Sequence, residues 1–315
     1  RRQIIYKHNT REMRMPFTRL LIFYSPKTLY MKKTILLLLV ALFPVISGCK
    51  AQSPVSEEDK AILSRFFEYA SGKELHRLPV NERIVAIGQF FINTPYKSGT
   101  LEINPKEQLV VNLREFDCVT FTDNVLALAL LKEYTPLQTE VYLKNLQKIR
   151  YRDGEITDYT ARLHYSTDWL YEMSLDSIVK DVTLENGGIP FPNKVGFISR
   201  NWQKYPALAQ DSLLAGKMLR IENNINLRKY HYIPKDKVSA ATGQIQPGDI
   251  LLITTDKKGL DTAHVGIAIE QNGQIYLLHA SLSAKKVVIS EVPLPEYLQG
   301  IRSHSGIIIA RPYQF

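Results

Sequence analysis

An α+β fold is predicted for this chain of 315 residues, with helices first and an antiparallel sheet last. Three observations lead to this prediction. Apolar residues recur at helical spacing in residues 59 to 91, and the apolar period changes to two after Pro234. Between these regions, residues 135 to 235 are polar and mostly helical in pattern, which predicts a large helical insertion.

The first helices are recognised by their ends. Ser56 precedes three acidic residues in a capping-box pattern, and a helix over residues 80 to 91 is predicted to end before Pro95. Further expected elements are a short strand over residues 109 to 113 and helices over residues 141 to 149 and 169 to 179.

The C-terminal part is predicted to be an antiparallel meander. Asn272-Gly273 is a strong hairpin signal, because a primed turn needs positive φ at both central positions. The five predicted strands cover residues 250 to 254, 264 to 269, 274 to 280, 286 to 292 and 306 to 311.

The formal charge of +9 is concentrated at the start of the chain. Residues 1 to 49 hold nine Lys and Arg against one acid, whereas the remaining residues hold 31 bases against 30 acids. The chain after residue 49 is therefore close to neutral, which argues against a nucleic-acid partner.

Residues 31 to 49 are predicted to be a lipoprotein signal peptide. Two lysines follow Met31, an apolar run follows them, and the end, Ile46-Ser47-Gly48-Cys49, resembles a bacterial lipobox. The apolar run is too short to span a bilayer, and acylation of Cys49 is expected to anchor the chain in a membrane. The protein would then be exported and held in the cell envelope, facing the periplasm. A conventional signal peptide with an incidental cysteine is the alternative.

Residues 1 to 30 are interpreted as an over-extended gene start, and residues 50 to 58 as a tether.

Cys118 is the candidate nucleophile. It lies in residues 116 to 121, FDCVTF, ahead of an apolar segment that favours helix, and Asp117 is a candidate helix cap. The positive end of the helix dipole and the unpaired N–H groups there favour the thiolate. Because the chain has two cysteines, Cys118 would be the only thiol left after acylation of Cys49. The stretch alone is equally compatible with a small buried hydrophobe.

A cysteine nucleophile needs a base and a group that orients this base. Among the seven histidines, His264 opens a predicted strand and His279 closes the strand paired with it. Position 264 should oppose about 281 in this hairpin, so the two imidazoles are expected to meet on one face. The separation of 146 residues between Cys118 and His264 lies in the range of papain-like enzymes.

Candidate substrate contacts lie in two polar, aromatic-rich clusters of the insertion and beside the cysteine. Ordinary packing with helix caps is the alternative for both clusters. The first contains His164, Tyr165, Ser166 and Trp169, the second contains Ser199, Arg200 and Trp202, and Tyr96 and Asp117 complete the set.

The order of these motifs resembles that of the NlpC-type cysteine peptidases, papain-like bacterial hydrolases that cut peptidoglycan stems. The matching segments are Asp117-Cys118, Gln246-Pro247-Gly248-Asp249-Ile250, Ala263-His264-Val265-Gly266-Ile267 and Leu278-His279-Ala280-Ser281. FDCVTF, the block from 164 to 169 and the long insertion are similar to a subfamily of N-acetylmuramoyl-L-alanine amidases common in gut Bacteroidetes. The resemblance covers about residues 56 to 315.

The resemblance implies a papain-like core within a single hydrolase domain over residues 59 to 315. It implies that Cys118 attacks, His264 is the base and His279 orients it. The substrate would be a muropeptide or peptidoglycan stem, cut between N-acetylmuramic acid and L-alanine, with no cofactor and no metal. In one departure, Val119-Thr120 follow the cysteine where the family usually has serine and glycine. Because Tyr96 also lies 22 residues before Cys118, farther than usual, its role stays open.

Two other functions stay open at this point. One is a γ-D-glutamyl-diamino acid endopeptidase of the same fold, and the other is a catalytically idle, lipid-anchored binder of muropeptides. A zinc site formed by Cys118, His264 and His279 is disfavoured, because three such ligands without a carboxylate or second cysteine are unusual for zinc.

Overall fold

The structure, a computed structural model, describes residues 55 to 104 and 106 to 314. These residues fall within the unit Ser53–Phe315. The predicted signal peptide, its Cys49 and the first part of the predicted tether lie outside the described residues. Within the described ranges, no helix has the combination of length and apolar character that crossing a membrane requires.

The N-terminal helices agree with the predicted pattern. Helix α1 (Glu57–Gly72) begins after Ser56, whose hydroxyl oxygen accepts a hydrogen bond from the Asp59 N–H at 3.1 Å. Helix α2 is Val80–Phe90, α3 is Cys118–Ala129 and α4 is Thr139–Arg150. Helix α3 is buried along most of its length, so its first residue is held in a fixed place.

The strands form one antiparallel sheet in the order β2-β3-β8-β4-β5-β6-β7, with β1 also paired to β8. The five predicted strands are confirmed as β4 to β8. The bounds are Val179–Asp181 (β1), Ile189–Pro190 (β2), His231–Pro234 (β3), Ile250–Thr255 (β4), Thr262–Gln271 (β5), Gln274–Ser281 (β6), Lys286–Ile289 (β7) and His304–Pro312 (β8).

The two faces of the sheet bury different helices. Successive side chains of a strand point to opposite faces, and all six residues of β4 are buried. Ile250 and Leu252 pack in the core shared with α1 to α4, whereas Leu251 and Ile253 pack in a second core on the opposite face. Short helices cover that second face: α9 (Val238–Ala241) and α10 (Leu294–Gln299).

Residues 135 to 235 are not wholly helical. Helices α5 to α8 are Ser166–Leu175, Phe197–Arg200, Pro206–Gln210 and Ser212–Leu227, and β1, β2 and β3 lie among them. The helix predicted over residues 169 to 179 already ends at Leu175, because Val179 pairs with Pro312 of β8.

The strand predicted for residues 109 to 113 is absent from the structure. Side chains, and not a neighbouring strand, form hydrogen bonds with the backbone of this segment. The Leu113 N–H donates to Asp59 Oδ1 at 2.8 Å, and Arg150 Nη1 donates to the Val110 carbonyl at 2.7 Å.

Candidate active site

Cys118 is the first residue of α3, as predicted. Asp117 caps the helix: its Oδ1 accepts from the Thr120 N–H at 2.8 Å, and the Asp117 N–H donates to Thr120 Oγ1 at 2.9 Å. A reciprocal cap of this kind fixes the first turn of a helix. The predicted role of Asp117 as a cap is therefore confirmed.

The predicted pairing of His264 and His279 is also confirmed. Asn272 and Gly273 both have positive φ, of 51° and 74°, and Ile267 pairs with Leu278 across the hairpin. This register brings His264 Nε2 to 2.6 Å from His279 Nδ1, with the rings edge to face. When His264 Nε2–H donates this hydrogen bond, its Nδ1 is left with a free lone pair that can take a proton.

Strand β5 meets the start of α3 at the cysteine sulfur. The backbone N–H of Val265, the residue after His264, lowers the pKa of the Cys118 thiol and therefore lies within electrostatic reach of its sulfur. The N–H groups of Cys118 and Val119 also favour negative charge on this sulfur. The thiol, the two imidazoles and these N–H groups therefore form one cluster.

The pKa of Cys118 runs against the expectation from its position. Burial, and then the neighbouring Asp117 carboxylate, raise the pKa of the thiol to about 12, and the three backbone N–H groups only partly offset this. Burial, followed by His279 and His304, lowers the pKa of His264 to about 3. These directions favour a neutral thiol at rest and oppose the expected thiolate, because loss of hydration outweighs the helix dipole.

Three further side chains extend the cluster. Burial, with smaller contributions from Cys118 and Asp117, raises the pKa of Tyr96, so the Tyr96 hydroxyl lies within electrostatic reach of the sulfur. On the other side, Tyr297 lies edge-on to His279 at 5.3 Å between ring centroids, and His304 lies 5.9 Å beyond Tyr297. No sequence pattern marks Tyr297 or His304, because short-range patterns do not reveal that α10 packs against both β6 and β8.

A cavity of about 290 Å³ opens beside the start of α3. Its wall includes four of the predicted contacts, Asp117, His164, Ser166 and Trp169. It also includes four charged residues outside the predicted set: Glu102, Asp123, Arg150 and Arg162. Arg162 donates to Glu102 and Glu107 at 2.6 Å each, so its charge is already paired. His164 Nε2–H donates to the Tyr159 carbonyl at 2.8 Å, and burial lowers the pKa of His164 to about 3. The imidazole of His164 is neutral, and its Nδ1 is an acceptor.

The remaining predicted contacts are not on this cavity. Tyr165 is buried, and its hydroxyl donates to Glu222 Oε1 at 2.6 Å while accepting from two backbone N–H groups of α6. The Ser199 N–H donates to the same carboxylate oxygen at 3.0 Å, Trp202 packs against the small core of the insertion, and Arg200 is exposed. Tyr165, Ser199 and Trp202 therefore hold the insertion together, since buried tyrosine and glutamate need each other as hydrogen-bond partners.

Cavity and cluster together can support acyl transfer. They supply a thiol, an imidazole with a free lone pair, a second imidazole behind it, and N–H groups directed at the sulfur. Within residues 55 to 104 and 106 to 314, no three His, Cys, Asp or Glu side chains are arranged to hold a metal ion.

Comparison with known proteins places the chain in a family. Residues 86–307 match the family described as AmiA-like, N-acetylmuramoyl-L-alanine amidase-like. None of the curated proteins compared with the chain matches it.

Solved structures agree with this match. A crystal structure of an N-acetylmuramoyl-L-alanine amidase from Bacteroides uniformis is 36% identical, with a TM-score of 0.71 over 75% of this chain and 99% of that chain. A Bacteroides fragilis structure named as a candidate xylanase is 37% identical, with a TM-score of 0.67 over 72% of this chain and 99% of that chain. A Legionella pneumophila protein at 23% identity, with a TM-score of 0.61 over 81% of this chain and 95% of that chain, shares the fold. The chain belongs to the AmiA-like family of N-acetylmuramoyl-L-alanine amidase-like proteins.

Proposed function

We propose that this protein is a cysteine-dependent N-acetylmuramoyl-L-alanine amidase of the NlpC type, with a papain-like core. One observation carries the proposal: the helix that begins at Cys118 packs on β5, where the Val265 N–H is within electrostatic reach of the sulfur and the adjacent His264 is paired with His279 at 2.6 Å. The family match supports the bond that is cut. The xylanase name has no support in this cluster, because glycosidases generally use a pair of carboxylates.

In the first half of the reaction, the Cys118 sulfur attacks the lactyl carbonyl of N-acetylmuramic acid. The thiol proton moves to His264 Nδ1 as the carbon–sulfur bond forms, because both groups are neutral at rest. The oxyanion is stabilised by the Cys118 N–H at the start of α3 and by the Tyr96 hydroxyl. His264 then protonates the nitrogen of L-alanine as the carbon–nitrogen bond breaks, which leaves a thioester.

In the second half, a water molecule attacks the thioester. His264 removes a proton from this water, the carbon–sulfur bond breaks, and the proton returns to the sulfur as the lactyl carboxylic acid leaves. His279 holds the Nε2–H tautomer of His264 through both steps. An orienting group of this kind is partly replaceable, so loss of His279 is expected to lower kcat less than loss of Cys118 or His264.

The preferred substrate is a small muropeptide and not the intact peptidoglycan polymer. This part of the proposal is supported by the insertion, whose residues Arg162, His164, Ser166 and Trp169 wall the cavity beside Cys118. Efficient lysis of purified sacculi would contradict it.

The enzyme works from the cell envelope, anchored through a lipid on Cys49 and facing the periplasm. The lipobox-like sequence Ile46-Ser47-Gly48-Cys49 supports this part of the proposal. Incorporation of labelled fatty acid by the wild type and by Cys49→Ser tests the anchor, and equal labelling of both would disprove it.

Mass spectrometry of a digest tests the reaction itself. The substrate is N-acetylmuramoyl-L-alanyl-D-glutamyl-diaminopimelate, and the matched control is Cys118→Ser. The wild type is expected to release a peptide that begins with L-alanine, and the control is expected to release none. Products that keep L-alanyl-D-glutamate on the sugar identify the endopeptidase instead, and binding without cleavage identifies the idle binder.

A further inference from the structure

The strand that carries the base is irregular immediately before it. In the pairing of β4 with β5, Ile253 faces His264, but the next residue, Thr254, faces Thr262. Ala263 is therefore left without a partner and forms a β-bulge. A bulge turns the side chains next to it, so the direction of His264 depends on how this bulge is held.

Asp261 accepts a hydrogen bond from Thr262, the residue immediately before Ala263. Its carboxylate is buried, with only 3% of the residue exposed. The Thr262 N–H donates to Asp261 Oδ1 at 2.8 Å, while the Thr167 N–H and hydroxyl donate to Oδ2 at 2.7 and 2.9 Å. Among the ion pairs of the part of the chain that the structure describes, none includes Asp261. The carboxylate instead complements the N-terminal end of α5, where unpaired N–H groups favour a negative charge.

A second contact joins the same two elements. The hydroxyls of Ser166 and Thr262 lie 2.6 Å apart. Ser166 is the first residue of α5 and part of the cavity wall, and Thr262 is the first residue of β5, two residues before His264. The wall of the cavity and the strand of the base therefore share one buried polar junction.

We propose that Asp261, Thr262 and Ser166 form a positioning junction between the start of α5 and the start of β5 that sets the direction of His264. The inference rests on the proposed cysteine mechanism. The three residues touch neither the sulfur nor the scissile bond, so they are positioning residues, not catalytic ones.

A helix cap alone is the competing explanation. A cap contributes stability, and its loss lowers Tm without changing how the folded protein treats Cys118. The two explanations therefore differ in a property of the thiol that can be measured without substrate. This property is the rate at which iodoacetamide alkylates Cys118 at neutral pH, which depends on proton transfer to His264.

The experiment uses the full chain and follows the Cys118 peptide by mass spectrometry. Thr262→Val removes the hydroxyl and keeps the β-branched shape, Ser166→Ala removes its partner, and Thr262→Ser restores a hydroxyl. Ser174→Ala is the matched control, because Ser174 lies on the same helix and loses one hydroxyl hydrogen bond, of 2.7 Å to Leu170, away from β5.

Thr262→Val and Ser166→Ala are each expected to lower both kcat and the alkylation rate about tenfold, as misplacement of a catalytic group does. Thr262→Ser is expected to recover most of this loss, and Ser174→Ala to behave as the wild type. The double variant should lose no more than either single variant, because both remove the same contact.

A contrary result is that Thr262→Val and Ser166→Ala lower only Tm and keep wild-type kcat and alkylation rates. This result would overturn the positioning role and show that the contact acts only as a helix cap. Additive losses in the double variant would do the same. If the wild type cleaves no muropeptide, the proposed amidase activity is wrong. The alkylation rates, which need no substrate, still test whether the junction positions His264. Equal alkylation of the wild type and His264→Ala would overturn both proposals.

Discussion

The Cys118 and His264 side chains are expected to rest as a neutral thiol and a neutral imidazole. The perturbation that tests this is pH. Burial raises the pKa of the thiol to about 12 and lowers the pKa of the imidazole to about 3. The neutral pair therefore persists from about pH 4 to about pH 11, and kcat/KM should be level through the neutral range and fall only in acid, where His264 gains a proton.

The size of the preference follows from these values. A gap of about 9 pH units, at roughly 1.4 kcal/mol each, makes full proton transfer cost about 12 kcal/mol before the two charges attract. Opposite charges about 4 Å apart at an effective dielectric constant of about 20 offset about 4 kcal/mol of this. The remainder still favours the neutral pair, so the ion pair is a minor form at rest. Attack and proton transfer must then occur together.

Two measurements test this conclusion. The ultraviolet absorbance difference between the wild type and Cys118→Ser should contain no thiolate band at neutral pH. In addition, kcat/KM should be about twofold lower in D₂O, because the thiol proton is in transit in the transition state. One equivalent of thiolate per protein at neutral pH, lost in His264→Ala, would refute the reasoning and indicate a preformed ion pair.

Three other variants give further predictions. Arg150→Met leaves the Asp123 carboxylate buried without its partner at 3.0 Å, so urea unfolding should show a loss of about 3 to 5 kcal/mol. Because burial raises the pKa of Asp123, this loss should shrink at acid pH as the group protonates, and a pH-independent loss would contradict the argument. Gly266→Ala would place its Cβ 2.7 Å from Leu277 Cδ1 and 3.0 Å from His279 Cβ, so β6 and its histidine must shift and kcat should fall about tenfold. An unchanged kcat would show that Leu277 and β6 adjust without moving His279. Tyr96→Phe should lower kcat about 10- to 100-fold at constant KM, measured by muropeptide release, whereas a rise in KM alone would make Tyr96 a binding residue.

Local sequence patterns were sufficient for much of the fold and for the central cluster. The helix cap at Ser56, the hairpin at Asn272-Gly273 and the period of two after Pro234 each depend on near neighbours, and each was predicted. The meeting of His264 and His279 followed from the hairpin register alone. For the same reason, the α+β class was visible without a structure.

Contacts between distant segments account for what the sequence did not reveal. Tyr165 looks like a binding residue in a polar, aromatic-rich stretch, but its hydroxyl is used by Glu222, 57 positions along the chain. Strands as short as β2, with two residues, show no period. The pKa of Cys118 likewise depends on burial by segments remote in sequence, which the position of the thiol at a helix start does not reveal.

The central position of β8 has a consequence for the order of assembly. This strand is near the C-terminal end of the sequence, and β1, β3 and β4 all pair with it. During synthesis, Cys118 and the whole of the insertion are therefore made before the strand that receives β1 and β3 exists. Pairing across such long separations is slow, and the unpaired edges are exposed meanwhile. Because β1 and β3 pair with β8, these two strands of the insertion join the sheet only when this last strand has docked.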